Sequence, residues 1–190
     1  PAPAGESAND GNQSDQAGGE VLVSAGGGAT DSGALLRAAL AARPLSNLKD
    51  RPWRLLAGPN LAGDERARLV AAAPQGVTVE ANRDDFPSLL SRCAVSVSQA
   101  GYNTVAELLR AGCRAVVVPY SAGGETEQSF RAQRLHERGL AHVVEETALG
   151  PETLAAAVDA AAGGPAPELG GIDLDGAENS ARLVMSWLDR

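Results

Sequence analysis

The chain has 190 residues, 44% of them hydrophobic but only 3% aromatic, with a formal net charge of −8. That length suits one domain with a sizeable aliphatic core. The acidic balance argues against a nucleic-acid backbone or an anionic membrane surface as the main partner, and no run of about 18 apolar residues exists to span a bilayer.

Residues 1–19 are Gly, Ala, Ser, Asn, Asp, Gln and Pro without apolar periodicity, so they read as a linker or tail. Residues 20–190 read as one domain. Short apolar runs at 21–23, 53–57, 77–79, 94–97, 115–118 and 142–144 predict six strands. Helical periodicity falls between and after them, at 32–42, 64–73, 86–92, 104–111, 125–138, 151–162 and 177–188. Gly112 and Gly139 stand where a helix C-terminus wants glycine, and Pro151 stands at a first helical position. Strands alternating with helices imply right-handed βαβ units. The expected fold is therefore α/β: a doubly wound, mostly parallel six-stranded sheet with helices on both faces. Ligands of such folds bind beyond the carboxyl ends of the strands, so the loops there carry the information.

The loop after the first strand is Ser24-Ala25-Gly26-Gly27-Gly28-Ala29-Thr30. Bare glycines let a ligand approach the backbone, and the following helix offers unpaired N–H groups, a combination suited to a phosphate. It lacks the Gly-Lys-Ser/Thr of a Walker loop, and Asp31 replaces the third glycine of a dinucleotide fingerprint. A tight turn that needs glycine only for packing is the other reading.

The fourth strand runs into Ser98-Gln99-Ala100-Gly101-Tyr102-Asn103-Thr104-Val105-Ala106-Glu107. Gly101 permits an unusual backbone angle, and Asn103 or Thr104 can cap the helix. Glu107 can accept hydrogen bonds from two vicinal hydroxyls, as a ribose presents them, or it can close a capping box with Thr104. After the fifth strand comes Pro119-Tyr120-Ser121-Ala122-Gly123-Gly124-Glu125-Thr126-Glu127-Gln128. Glu127 and Gln128 in a first turn can bind sugar hydroxyls, or they can simply complement the helix dipole.

The run 98–107, followed about twenty residues later by Glu127-Gln128, resembles the C-terminal domain of family 28 glycosyltransferases. The resemblance covers about residues 21–162. It implies the Rossmann-like C-terminal lobe of a two-lobed GT-B enzyme that holds a nucleotide-sugar donor, often a uridine diphosphate (UDP) sugar. It further implies donor diphosphate contacts at Gly26, Gly27, Gly28, Gly101, Asn103 and Thr104. Glu107 would take the ribose hydroxyls, Glu127 and Gln128 the donor sugar. The segment 82–86 matches a stretch that reads the base edge, with Arg83 as its candidate. Arg131 stands near a place where the family often has asparagine.

Such enzymes resemble metal-independent inverting hexosyltransferases, so no cofactor and no metal are expected. The general base is expected in an N-terminal acceptor-binding domain, in the same or a partner chain, and the lobe alone is expected to be inactive. The expected location is cytoplasmic, with the inner membrane face as a peripheral site. A nucleotide-sugar 2-epimerase-like half and a non-catalytic nucleotide-binding module are the alternatives. Asp173-x-Asp175 is read as a helix start, with Asp175 as the cap, and not as a metal ligand pair. Cys93 and Cys113 read as buried thiols. His136 and His142 lack metal-site spacing, and His136 reads as a solvated mid-helix residue.

Overall fold

A computed structural model describes residues 19–26 and 32–188. The strands are β1 (Val21–Ser24), β2 (Trp53–Ala57), β3 (Val77–Ala81), β4 (Val95–Ser98), β5 (Ala115–Val117) and β6 (His142–Val143). The helices are α1 (Ser32–Ala42), α2 (Gly63–Ala72), α3 (Phe86–Arg92), α4 (Tyr102–Ala111), α5 (Glu127–Glu137), α6 (Pro151–Gly163) and α7 (Gly176–Leu188). Short 3₁₀ turns occupy Arg43–Leu45, Ala122–Gly124 and Glu146–Ala148.

The strands form one six-stranded sheet in the order β3-β2-β1-β4-β5-β6. Every pairing is parallel, which bears out the expected doubly wound parallel sheet. The reason is that each successive pair is joined by a helical crossover. Strand order reverses between β1 and β4. At that switch point Ser24 and Ser98, the last residues of the two strands, lie in register.

Alternation along the strands sends side chains to two cores. Val21, Val23, Leu55, Val95, Val97 and Val116 face one side, under α1, α2 and α6, which contribute Leu36, Leu69 and Leu154. Leu22, Leu56 and Val117 face the other, under α3, α4 and α5, which contribute Leu90, Leu108 and Leu135. Trp53, 1% exposed, is the bulkiest buried side chain; its Nε1 donates to Leu48 O at 3.0 Å. Ser96 and Ser98 Oγ are buried in the sheet centre without a hydrogen-bond partner among the described residues.

Gly112 and Gly139 end α4 and α5 with φ of +59° and +66°, as their positions predict. Gly112 N donates to Leu108 O and Leu109 O, closing the last turn. Other helix ends differ from the sequence reading. The expected helix at 125–138 begins only at Glu127, because a 3₁₀ turn with Gly124 at φ +82° takes up the loop. The last helix, α7, buries none of its side chains. Leu183, Val184, Trp187 and Leu188 recur at helical spacing and stay exposed, Trp187 at 66%. No helix among the described residues is long and apolar enough to cross a membrane.

Candidate functional site

A cleft of about 220 Å³ opens beyond the carboxyl ends of β1 and β2, beside the switch point. Ser24, Gly26, Asn82, Arg83, Thr104 and Glu107 line it, with Leu56 and Phe86 as apolar floor. The chain segments after β1, β3 and β4 therefore meet in one concavity, which takes in the first two sequence motifs and not the third. A second cavity adjoins it, of about 400 Å³, lined by Tyr102, Asn103, Arg110 and the start of α7. Glu107 borders both.

Gly26 lies close under its neighbours. A Cβ there would stand 2.9 Å from Gln99 Oε1, and a Cβ on Gly58 would stand 2.5 Å from Gly26 O. The turn is thus seated between the β2 and β4 exits, with Ala25 N donating to Leu56 O at 3.1 Å. Gly27 and Gly28 lie outside the described residues.

The start of α4 departs from expectation. Neither Asn103 nor Thr104 caps it: the helix begins at Tyr102, Gly101 is its N-cap residue, and no side chain caps it. The Thr104–Glu107 capping box is therefore not formed. The cause is geometric: Val105 N donates to Gly101 O at 2.9 Å, which closes the first turn two residues earlier than capping preference suggests. Gly101 has φ −62°, an ordinary angle, so its glycine is not demanded by backbone conformation. A Cβ there would meet only Thr104 Oγ1, at 3.9 Å. Among the described residues the N–H groups of Tyr102, Asn103 and Thr104 have no hydrogen-bond acceptor, and they stand at the positive end of the helix dipole.

Glu107 sits half-buried one turn inside that helix. It makes no hydrogen bond or ion pair among the described residues. Burying a carboxylate without a partner is costly, so this group is poised for hydroxyl or N–H donors from outside.

Arg83 lines the cleft but is already engaged. Its Nε and a terminal nitrogen contact Asp85 at 2.7 and 2.9 Å, and it approaches Glu80 at 3.6 Å. The guanidinium holds the Asp85 carboxyl below its usual range. Glu80 also pairs with Arg54, whose Nε contacts Glu20 at 2.7 Å, so Arg83 ends a chain of charges crossing the sheet.

Glu127 and Gln128 do not border this cleft. Glu127 is the first residue of α5 and is well exposed; its N–H donates to Glu125 Oε1 at 2.6 Å. Gln128 Oε1 accepts from Tyr120 N at 3.2 Å, and the amide NH₂ has no hydrogen-bond partner among the described residues. What ties α5 to the cleft is Arg131. It donates to Ala100 O at 2.6 Å, lies 5.8 Å from the Tyr102 ring centre and 3.8 Å from Glu127. Sequence reasoning noted Arg131 only as a departure. Its i, i+4 spacing from Glu127 was the available signal, but the bond to a loop thirty-one residues away was not readable. Gln99, buried against Gly26, was likewise missed inside its own motif.

Other candidates fall elsewhere. His136, Arg114 and His142 line a cavity of about 140 Å³ at the opposite, amino end of the sheet. His136 is in the last turn of α5, not mid-helix. The Asp173 side chain, and not that of Asp175, organises the start of α7: it accepts from Asp175 N at 2.8 Å and also bonds Asn179. Among the described residues no cluster of three His, Cys, Asp or Glu could hold a metal ion. Cys93 and Cys113 are free and buried, as expected. Hydrogen bonding to Cys113, then burial, pushes the Cys93 thiol far above its ordinary value, so it stays protonated.

Comparison with known proteins adds an independent line. The sequence pattern of the glycosyltransferase family 28 C-terminal domain matches residues 22–166. A UDP-N-acetylglucosamine–N-acetylmuramyl-(pentapeptide) pyrophosphoryl-undecaprenol N-acetylglucosamine transferase from Rhodospirillum centenum is 31% identical over 156 residues. That alignment covers 78% of this chain and 39% of the relative, so the chain spans well under half of that relative's length. Among solved structures, the glycotransferase of kitacinnamycin superposes with a TM-score of 0.62 at 23% identity, covering 86% of this chain and 40% of the other. MurG from Acinetobacter baumannii gives 0.56 at 23% identity, covering 75% and 44%. These superpositions show the fold, that of one lobe of a GT-B glycosyltransferase.

Proposed function

The chain belongs to the glycosyltransferase family 28 C-terminal domains, and from that membership we propose that it holds a nucleotide-sugar donor, a UDP sugar, for transfer to an acceptor bound by another domain. The observation that carries this reading is the unpartnered Glu107 carboxylate beside the uncapped start of α4. The diphosphate lies over the Tyr102, Asn103 and Thr104 N–H groups and the Gly26 turn, where helix dipole and backbone donors offset its charge. Glu107 accepts from the ribose hydroxyls. Arg83 and the backbone of residues 82–86 border the base. Glu127 and the Gln128 amide meet the sugar, and Arg131 fixes the distance between the two motifs.

The reaction is an inverting hexosyl transfer that needs no metal ion. An acceptor hydroxyl attacks the sugar C1 opposite the diphosphate; the C1–O bond breaks and its electron pair leaves with the nucleotide. The acceptor's proton passes to a base on the other domain. Positive helix-end potential takes the place of a divalent cation at the leaving group. The relative's lipid-linked acceptor supports a site of action at the cytoplasmic membrane face.

The test is isothermal titration of UDP into the chain and into Glu107→Ala and Glu107→Gln. Because Glu107 neither caps α4 nor pairs with another of the described residues, both variants keep the wild-type melting temperature within a few degrees. Loss of two charge-assisted bonds lowers affinity by at least about tenfold. Unchanged UDP affinity in Glu107→Ala would refute the donor site. A glycosyl-transfer assay on a protein carrying both domains separates a transferase from a non-catalytic module.

A further inference from the structure

The β5–α5 loop is fastened from outside its own sequence, by a residue that no motif contains. Glu146 opens the 3₁₀ turn after β6. Its Oε2 accepts from both Ser121 N and Ser121 Oγ, each at 2.8 Å. No ion pair competes for this carboxylate among the described residues, so its charge is directed at the two Ser121 donors. One residue earlier, Tyr120 N is held by Gln128 Oε1. The loop exit is thus gripped from β6 on one side and from α5 on the other. Beyond it the chain runs through the Ala122–Gly124 turn directly into Glu127.

We propose that Glu146 is a positioning residue that sets the donor-sugar end of the site through Ser121, independently of the nucleotide end. This rests on the reading above that Glu127 and Gln128 meet the sugar. The physical basis is the separation of anchors. The nucleotide groups hang on β1, β4 and α4, and α5 is tied to that end by Arg131, whereas Ser121, in the β5–α5 loop, is held by Glu146. A Glu146 substitution frees Ser121 and leaves the nucleotide groups in place. Gln128 Oε1 is already taken by Tyr120 N, so its NH₂ is the group left for a ligand.

The test compares UDP and UDP-N-acetylglucosamine as probes for the wild-type chain, Glu146→Ala, Glu146→Gln and Ser121→Ala, with thermal unfolding as the fold control. Glu146→Ala weakens the nucleotide sugar about tenfold, the scale of one lost charge-assisted hydrogen bond. UDP itself changes by less than about twofold on the same scale. Glu146→Gln restores most of the loss, because its amide oxygen still accepts from Ser121 N, and Ser121→Ala falls between. Amide hydrogen exchange at Ser121 in the ligand-free chain reads the clamp directly and accelerates in Glu146→Ala. Equal weakening of both ligands, or an unchanged Ser121 exchange rate, overturns the proposal. A wild-type chain that binds neither ligand overturns the donor reading and the sugar effect with it. That outcome is recognisable because Ser121 exchange still responds to the substitution.

Discussion

Glycine at position 101 is kept by neither strain nor crowding within the domain. Its φ is −62° and a Cβ would find only Thr104 Oγ1 nearby. Gly101→Ala is therefore expected to hold or raise stability, by up to about 1 kcal/mol, by restricting the unfolded chain. The added methyl sits at the helix start where the diphosphate would lie, so UDP affinity falls. Urea unfolding and UDP titration of the same variant check both signs. Much of this site was legible residue by residue, since glycines, a helix start and an acid one turn on are local signals. The cap was not. Thr and Asn outrank Gly as N-caps on local preference, so the sequence favours a start at residue 103 or 104. The structure starts the helix at Tyr102, and that shift releases Glu107 from the capping box that was its rival role. Arg131 was illegible for a different reason: its partner, Ala100 O, is a backbone atom on another loop, and sequence carries no mark of it.

Elements were read more securely than their ends. All six strands and seven helices stand where apolar periodicity put them, because the central parallel strands are buried and mostly apolar. The ends moved where glycine-rich loops could form 3₁₀ turns, as at Ala122–Gly124. Two substitutions test how the elements are held. Gly112→Ala meets no neighbouring atom but must adopt φ +59° at the end of α4. It should cost about 1–2 kcal/mol, opposite in sign to the same change at Gly101. Leu154, fully buried on α6, packs in the core beneath β4 and β5. Leu154→Ala should cost about 2–5 kcal/mol in denaturant unfolding, through a cavity that the rigid sheet cannot close.

At the scale of the molecule, sequence alternation was enough for the doubly wound order, and the reversal between β1 and β4 locates the cleft. The last helix, α7, stands off the core with its apolar stripe uncovered. Exposed stripes of this kind promote association. Sedimentation at rising concentration should show reversible self-association, and Leu183→Glu with Trp187→Glu should abolish it. The two indoles of the chain occupy opposite environments: Trp53 is sealed in the core, while Trp187 lies on the bare helix. The protein consequently carries two optical gauges that answer different questions. Acrylamide should quench the Trp187 emission readily and leave the bluer Trp53 emission almost intact. A partner that settles on α7 would shift the first signal without touching the second, and only global unfolding would move both.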